Sequence, residues 1–269
     1  MMERLDVYLV KRKDFNNRSQ VLRAIKEKRV LIDGQFASKA GEFVSDKNLI
    51  EVIKPKHVFV SRGGEKLQGA VDDFNLKLNG VVALDIGSST GGFCDCLLQN
   101  GAEKVIAVDV GSNQLHPDLR KNNKIILFEN TDFREFVLPK GVEPTFACGD
   151  LSFISLEKII PHLSVFDSIK NVVLLVKPQF ECGKEVASKN HGIVKDFKEH
   201  KKAIDKVLNC LIVNKFKICG IVPSCIVGGS GNIEYLVYAT KQDVDNEKVV
   251  AGYVNEAINK AKQIFKKGA

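Results

Sequence analysis

The stretch VVALDIGSSTGGFCDCLLQNGA, residues 81–102, has the pattern of a buried strand, a glycine turn and a helix. Its first six residues are apolar apart from Asp85, which is typical of a strand covered on both faces of a parallel sheet. Gly87, Gly91 and Gly92 can adopt backbone angles closed to other residues. The stretch therefore predicts a turn at which the main chain comes close to a ligand.

Two common phosphate-binding patterns fit this turn poorly. Ser89 stands where a dinucleotide fingerprint needs its second glycine, and Phe93 stands where a P-loop needs lysine. A glycine turn flanked by carboxylates suits a nucleoside ligand that lacks phosphates and carries a positive charge, so we predict S-adenosylmethionine. For the motif on its own, a tight turn without a ligand is the alternative.

A second acid supports the ligand. Asp109 ends the predicted strand KVIAVDVG and lies 24 residues after Asp85. In nucleoside-binding sheets a strand-end acid meets a ribose hydroxyl at an offset of about 20 residues. The two acids together favour a bound nucleoside over an empty turn.

Length and composition predict a soluble protein with one sizeable domain and a small companion. The chain has 269 residues, of which 44% are hydrophobic and 27% charged. No apolar run approaches the roughly 20 residues of a membrane span, and charges interrupt the start, MMERLDVYLVKRKDF. We therefore expect a cytoplasmic protein without a membrane partner.

The seven cysteines form no C-x-x-C pair, and the five histidines are scattered singly. A zinc site and a disulfide framework are therefore not expected, and the cysteines are interpreted as reduced thiols in the core. No metal is predicted.

The positive charge is concentrated at the beginning of the chain. Residues 1–60 carry 13 basic and 8 acidic side chains, against 27 and 25 in the remainder, within a net charge of +7. A basic lobe beside a nearly neutral one suggests a polyanion-binding module attached to a catalytic domain. A merely solubilising surface is the alternative.

The basic lobe is predicted to contain two short helices and a small sheet. The helices span residues 3–12 and 18–28, with Asn17 as the cap of the second. The sequence VLIDGQF predicts a hairpin around Asp33 and Gly34, and NLIEVIK predicts another strand. With basic residues on one face, such a module is suited to structured RNA, where shape and phosphates dominate recognition.

Three short patterns in this lobe, R-x-D-x-x-L from Arg4, N-R-S from Asn17 and V-L-I-D-G from Val30, resemble the S-four RNA-binding domain. We predict this domain over residues 1–54, a linker over 55–62 and a catalytic domain over 63–269. The predicted RNA contacts are Arg4, Arg18, Arg23, Lys28, Arg29 and Arg62.

After the glycine turn, strands and helices alternate, which predicts a Rossmann-like α/β sheet with helices on both faces. The pattern predicts a loop and helix over residues 113–121, a helix over 156–166 and a last helix over about 246–267. The sheet has seven predicted strands, mostly parallel, with the last one antiparallel. Ligands of such sheets lie beyond the carboxyl ends of the strands. Asp150 and Lys177 fall at such ends, and Glu234 falls at the start of the antiparallel strand.

Lys66 lies in the first turn of a helix that Gly63 and Gly64 open. A positive charge near a helix N-terminus is mildly unfavourable, which suggests a functional reason for it. Each ionisable group also has a structural explanation when taken singly, such as a cap for Asp150 or a turn charge for Glu234. Their shared sheet edge favours a site.

The motifs SRGGEKL, DIGSSTGGF, AVDVGSNQL, DLSFISL, LVKPQFE, HGIVKD and GNIEYL resemble, in this order, the TlyA family of ribosomal RNA 2′-O-methyltransferases, often labelled hemolysin A. The resemblance implies an FtsJ-like methyltransferase domain that acts on cytidine 2′-hydroxyls in one or both ribosomal subunits. The implied catalytic residues are Lys66, Asp150, Lys177 and Glu234. The implied cofactor contacts are Asp85, Gly87, Ser88, Ser89, Thr90, Gly91, Gly92, Phe93, Asp109, Val110 and Asp132.

Three other classes of function are weighed against this one. A pore-forming toxin would need a membrane-inserting segment, whereas the apolar runs here have the length of short strands. A non-catalytic RNA-binding factor would not need four ionisable groups at one sheet edge. A base methyltransferase would use a cysteine nucleophile or an Asn-Pro-Pro-Tyr-like strand end, and the strand ends here are ACGD and LVKP.

Overall fold

The computed structural model describes residues 2–26, 28–54, 57–183, 192–243 and 250–266. The chain divides into two compact units, Met1–Val58 and Phe59–Ala269.

The first unit packs two helices with short strands. Its elements are β1 (Glu3–Arg4), α1 (Leu5–Lys11), α2 (Arg18–Lys26), β2 (Val30–Ile32), β3 (Gln35–Phe36), β4 (Phe43–Val44) and β5 (Ile50–Val52). Strand β1 pairs with β4, while β2 pairs with both β3 and β5, all antiparallel. The predicted first helix begins two residues late, because Glu3 and Arg4 pair with β4. Leu5, Leu9 and Val21 form part of its core.

Two local predictions in this unit are confirmed. The Asn17 side chain accepts a hydrogen bond of 3.0 Å from the Gln20 amide, so it caps α2. Asp33 and Gly34 both have positive φ, 50° and 81°, as a two-residue hairpin of type I′ requires. The Gln20 side chain reaches back to the amide of Asn16 instead of the cap residue itself.

The second unit is built on a seven-stranded sheet. Its strands are β6 (Val82–Ile86), β7 (Lys104–Val108), β8 (Ile125–Phe128), β9 (Phe146–Gly149), β10 (Asn171–Val176), β11 (Lys217–Pro223) and β12 (Tyr235–Thr240). The strand order is β11-β12-β10-β9-β6-β7-β8. Strand β12 runs antiparallel to both neighbours, and the pairs among β10, β9, β6, β7 and β8 are parallel. The predicted fold class is confirmed.

Helices of the second unit surround this sheet. They are α3 (Arg62–Asp73), α4 (Gly92–Gln99), α5 (Pro117–Arg120), α6 (Ile160–Ser164), α7 (Pro178–Glu181), α8 (Phe197–Val213) and α9 (Val250–Lys266). Along β10, Val172 and Leu174 pack on one face and Val173 and Leu175 on the other. This alternation buries both faces of the sheet, so the edge formed by the strand ends is left for a ligand site.

The segment from 113 to 121, for which the pattern predicts a loop and a helix, is helical over Pro117–Arg120, and Asn113 in its loop has a positive φ of 55°. The segment from 156 to 166 divides into a 3₁₀ turn at Leu156–Lys158 and α6, since Pro161 has no N–H to continue the ladder. The last helix was predicted from residue 246 to 267, and both of those residues lie outside the described part of the chain.

None of the described helices has the length and apolarity needed to cross a membrane.

Candidate active site

The sheet register brings two charged residues from distant parts of the chain together. Val176, the last residue of β10, pairs with Tyr235, the first residue of the antiparallel β12. Lys177 and Glu234 therefore follow and precede the same pair at one edge of the sheet. Asp150 directly follows the adjacent β9 at that edge.

Lys66 reaches this edge from α3 and is buried. Its Nζ donates to Glu234 Oε2 at 2.8 Å and to Asp150 Oδ2 at 3.4 Å. Burial lowers the pKa of Lys66, but the charges of Asp150 and Glu234 outweigh that effect and hold the pKa above its ordinary value. The Lys66 side chain is thus kept as an ammonium group.

Lys177 lies on the other side of Asp150. Its Nζ is 2.6 Å from Asp150 Oδ1, but this contact lies outside hydrogen-bond angles, so it is an ion pair without a hydrogen bond. The hydrogen bond of Lys177 goes to Ser152 Oγ at 2.8 Å. The Phe180 ring lies 5.7 Å from the same Nζ.

The four groups form one enclosed, charge-balanced cluster. The exposed fractions of their side chains are 10% for Lys66, 8% for Lys177, 20% for Asp150 and 4% for Glu234. Glu234 is further held by Gln179, whose Nε2 donates to Oε1 at 3.2 Å. Two cations and two carboxylates with this little exposure are typical of an active site.

The glycine turn lies beside the cluster, and two of its glycines are sterically required. Gly91 has a φ of 91°, and a Cβ there would lie 2.4 Å from Leu119 Cδ1. A Cβ on Gly92 would lie 2.3 Å from the Ser61 hydroxyl and 2.8 Å from the Gly64 amide. The turn therefore permits α4 to pack closely against the start of α3.

Two adjoining cavities open at this edge. The larger, of about 440 Å³, is lined by residues that include Gly87, Ser89, Asp109, Val110, Gln114, Asp132, Phe133, Arg134, Asp150, Leu151, Ser152 and Phe153. The smaller, of about 180 Å³, is lined by Ser61, Gly63, Gly87, Ser88, Ser89, Thr90, Gly92, Phe93, Asp150, Ser152 and Lys177. Because they share Gly87, Ser89, Asp150 and Ser152, the smaller cavity connects the larger one to the lysine cluster.

Most of the predicted cofactor contacts therefore line one or both cavities, but Asp85 and Gly91 are absent from their described walls. Asp85 is fully buried, and its carboxylate accepts from Cys94 Sγ at 2.9 Å and from Cys148 Sγ at 3.8 Å. Burial raises the pKa of Asp85 to about 7, since thiols compensate poorly for lost water. Asp85 therefore contacts the Cys94 and Cys148 thiols beneath the glycine turn.

The two acids in the larger cavity are each held by neighbours. Asp109 accepts backbone hydrogen bonds from Ser89 at 2.8 Å and from Gly111 at 2.7 Å. Asp132 is paired with Arg134, whose hydrogen bonds lower the pKa of Asp132 to about 2. Both carboxylates are therefore held in place in the cavity wall.

The residues predicted to contact RNA are placed differently. Arg4 and Arg18 both hydrogen-bond to the buried Asp6 in the first unit. Lys28 is exposed, and the Arg29 guanidinium donates to the Ile53 carbonyl at 3.4 Å. Arg62 belongs to the second unit, where it donates to the Val227 carbonyl at 2.9 Å. The side chain of Arg23 lies outside the described part of the structure.

Sequence reasoning missed the residues that follow Asp150. Ser152 and Phe153 line the cavities, and Phe153 is 92% exposed with a positive φ of 64°. Its ring lies 5.1 Å from that of Phe180. An aromatic residue held exposed in a strained conformation indicates a functional constraint. The available signal was the run DLSF directly after a strand-end acid.

The comparison with protein families identifies the class. Residues 59–241 match the model of the FtsJ-like methyltransferases, and residues 3–50 match that of the S4 domain. The chain therefore belongs to the FtsJ-like methyltransferase family and carries an S4 domain ahead of the catalytic one.

Individual relatives confirm the resemblance to the TlyA family. The chain is 41% identical to a candidate rRNA methyltransferase, YqxC, of Bacillus subtilis, over 88% of this chain and 85% of that protein. It is 36% identical to the 23S rRNA (cytidine-2′-O)-methyltransferase TlyA of Campylobacter jejuni, over 88% and 99% respectively. A solved structure of a candidate hemolysin from Streptococcus thermophilus superposes with a TM-score of 0.73 at 38% identity, covering 99% of this chain and 98% of that one.

Proposed function

We propose that this methyltransferase transfers the methyl group of S-adenosylmethionine to the 2′-hydroxyl of a cytidine in ribosomal RNA. The observation that carries the proposal is the enclosed cluster of Lys66, Asp150, Lys177 and Glu234. Two of its members, Asp150 and Lys177, line the smaller cavity beside the glycine turn. The names of the relatives support the substrate, and the S4 domain supports an RNA partner.

The cavity suits S-adenosylmethionine in its donor set. Asp109 and Asp132 offer carboxylates to the hydroxyl and amine donors of a nucleoside, and Val110 and Phe133 offer apolar surface. Ser88 is 5% exposed, lines the smaller cavity, and has a hydroxyl without a hydrogen-bond partner among the described residues. Because buried polar groups are nearly always satisfied, this orphan hydroxyl indicates a polar ligand group beside the turn.

When bound, S-adenosylmethionine supplies a methyl group activated by a positively charged sulfur. Gly87, Ser88, Ser89, Thr90 and Phe93 would hold the end of the cofactor that is nearest the lysines. Asp109 and Val110 would hold its ribose, and Asp132 would contribute on the adenine side. Much of the acceleration then comes from holding the ribose oxygen in line with the methyl group.

The two lysines take different roles because their surroundings differ. Lys66 contacts two carboxylates and stays an ammonium, so it can donate a hydrogen bond to the ribose oxygen and hold it. In the described part of the chain Lys177 contacts one carboxylate, which it shares with Lys66. Neighbouring ammonium groups repel, and we assign to Lys177, which has fewer carboxylate contacts, the role of accepting the proton of the 2′-hydroxyl.

Binding of the RNA is assigned to the first unit. Arg4 and Arg18 are 47% and 58% exposed although both contact Asp6, so they can also contact phosphates. Arg23, Lys28 and Arg29 would extend this basic surface, and Arg62 would contact RNA beside the active site. Phosphate contacts of this kind position an RNA without reading its sequence.

The test supplies methyl-labelled S-adenosylmethionine to the purified chain with unmodified small subunits, unmodified large subunits or naked ribosomal RNA. We expect label in one or both subunits, on a cytidine ribose, in nuclease-resistant dinucleotides that 2′-O-methylation protects. Label on a base would contradict the ribose chemistry. No label in any of the three, from protein that binds the cofactor, would contradict the substrate.

A further inference from the structure

Ser152 lies on the loop between β9 and the 3₁₀ turn at Leu156–Lys158, and its side chain borders both cavities. Ser152 is exposed, whereas the Lys177 side chain that it contacts is only 8% exposed. Its hydroxyl accepts a hydrogen bond of 2.8 Å from Lys177 Nζ. The amine of Lys177, the proposed proton acceptor, is therefore hydrogen-bonded to Ser152. Ser152 is not among the four catalytic residues that the family resemblance implies.

The two polar partners of Lys177 act in different ways. Asp150 Oδ1 is close, at 2.6 Å, but outside hydrogen-bond angles. Attraction between charges depends on distance and not on direction, so Asp150 holds the ammonium form of Lys177 near without orienting it. A hydrogen bond weakens steeply away from linearity, so the bond to Ser152 orients one N–H of the amine.

We propose that Ser152 is a positioning residue that aims the lone pair of Lys177 at the substrate hydroxyl, an inference that rests on the proposed function. A neutral amine has two N–H bonds and one lone pair. Committing one N–H to Ser152 restricts the lone pair to the remaining directions, and Lys177 forms part of the wall of the smaller cavity. The proton of the ribose hydroxyl passes to that lone pair, and Lys177 becomes an ammonium.

The loop does not depend on Ser152 for its own conformation. Glu181, on α7, accepts from Ser155 Oγ at 2.5 Å and from the Leu156 amide at 2.9 Å. These bonds fasten the end of the loop to the segment that follows Lys177. Removing the Ser152 hydroxyl is therefore expected to delete one hydrogen bond and to leave the loop in place.

The experiment compares single-turnover methylation of unmodified large ribosomal subunits by the parent chain, Ser152→Ala and Ser152→Thr, with tritium-labelled S-adenosylmethionine. Loss of one orienting hydrogen bond is expected to lower the rate of Ser152→Ala about tenfold, with unchanged KM for the cofactor. Ser152→Thr retains a hydroxyl and is expected within about threefold of the parent. Ser164→Ala is the matched control, because the Ser164 hydroxyl donates to the Pro161 carbonyl and to Asn214 Oδ1, and neither residue belongs to the lysine cluster.

Crystal structures of the two variants supply a readout that does not depend on activity. In Ser152→Ala we expect the Lys177 amine in more than one orientation, whereas Ser152→Thr retains the hydrogen bond. An unmoved amine together with an unchanged rate would overturn the inference, as would a rise in cofactor KM that accounts for the whole loss. If the parent methylates none of the RNA substrates, the proposed function fails, and the crystal structures still decide whether Ser152 orients Lys177.

Discussion

Each unit of the protein contains a carboxylate between two basic side chains, and the two arrangements are opposite in burial. In the first unit Asp6 is 2% exposed, while its partners Arg4 and Arg18 are 47% and 58% exposed. In the second unit Asp150 is 20% exposed, while Lys66 and Lys177 are 10% and 8% exposed. One cluster buries the acid and the other buries the bases.

The difference separates a binding surface from a reaction site. A buried acid that fixes two exposed guanidinium groups prepares them to meet an external anion, since less side-chain freedom is lost on binding. Buried amines around a shared acid are shielded from water, so small changes in their surroundings decide which of them holds a proton. Under the proposed function, the same combination of charges would serve RNA binding in one unit and proton transfer in the other.

The largest effect is expected from removing the proton-accepting amine. Lys177→Ala is expected to lower methylation by about 10² to 10⁴-fold, because a positioned base contributes on that scale. Binding of S-adenosylmethionine, followed by calorimetry, is expected to persist. Lys201→Ala, an exposed lysine on α8, is the control and is expected to remain active. A fully active Lys177→Ala would remove this lysine from the chemistry.

A smaller loss is expected from loosening the loop that leads into Glu234. Asn232 is buried; its side chain accepts from the Val194 amide at 2.9 Å and donates to the Gly192 carbonyl at 2.9 Å. In Asn232→Asp a carboxylate would face that carbonyl, so we expect about a tenfold or greater fall in kcat with little change in RNA affinity. Asn214→Asp, at the end of α8, is the matched control. Equal losses in both variants would indicate general destabilisation instead.

In the exposed cluster the expected effect is on affinity. Arg18→Ala is expected to weaken binding to ribosomal RNA severalfold and to reduce the salt dependence of log K by roughly one ion, without changing kcat at saturating RNA. Filter binding at several salt concentrations measures both quantities, with Lys201→Ala again as control. A loss of kcat with unchanged affinity would place Arg18 outside the RNA-binding surface.

The smallest effects on activity at neutral pH are expected from two buried acids, one in each unit, whose titration changes folding stability. Hydrogen bonds from Arg4 lead the causes that lower the pKa of Asp6 to about 2, whereas burial raises the pKa of Asp85 to about 7. An unfolded Asp titrates near about 3.9. The Asp6 contribution is therefore complete above about pH 4 and is lost as the pH falls towards 2. The Asp85 contribution has the opposite sign, and stability declines as the pH rises from about 4 to 7.

Methyl NMR during thermal unfolding can follow the two units separately through Leu9 and Leu84, which lie in their respective cores. Asp6→Asn is expected to flatten the dependence of stability on acid pH that the Leu9 signal reports. Asp85→Asn is expected to flatten the dependence of stability between pH 4 and 7 that the Leu84 signal reports. Unchanged pH profiles in the variants would contradict the assigned causes.

Much of the fold was predictable because it depends on local patterns. The hairpin at Asp33 and Gly34, the Asn17 cap and the strand alternation each rest on preferences of a few neighbouring residues. Predictions failed where a distant partner or a proline decided the outcome. Glu3 and Arg4 left the helical pattern to pair with β4, and Pro161 interrupted a helix that the apolar spacing favours.

The identities of the site residues could be predicted from the sequence, but most of their contacts could not. Strand ends and family motifs indicated Asp150, Lys177 and Glu234, since their order along the chain places them at one sheet edge once β12 is antiparallel. The sequence did not indicate that Ser152 bonds to Lys177 or that Asp85 lies beneath the turn with two thiols. Those contacts depend on loop conformation and packing.

The sequence by itself determined the class of fold, the glycine turn and the set of ionisable groups at the sheet edge, because periodicity, glycine geometry and strand direction are encoded by near neighbours. Only the tertiary structure decided which charges pair and which are buried. It placed Lys66 against two carboxylates, and it placed Lys177 against a single carboxylate and a hydroxyl. The physical reason is that the energy of a charge depends on its distance to other charges and to water, and folding alone fixes those distances between residues as far apart in the chain as Lys66 and Glu234.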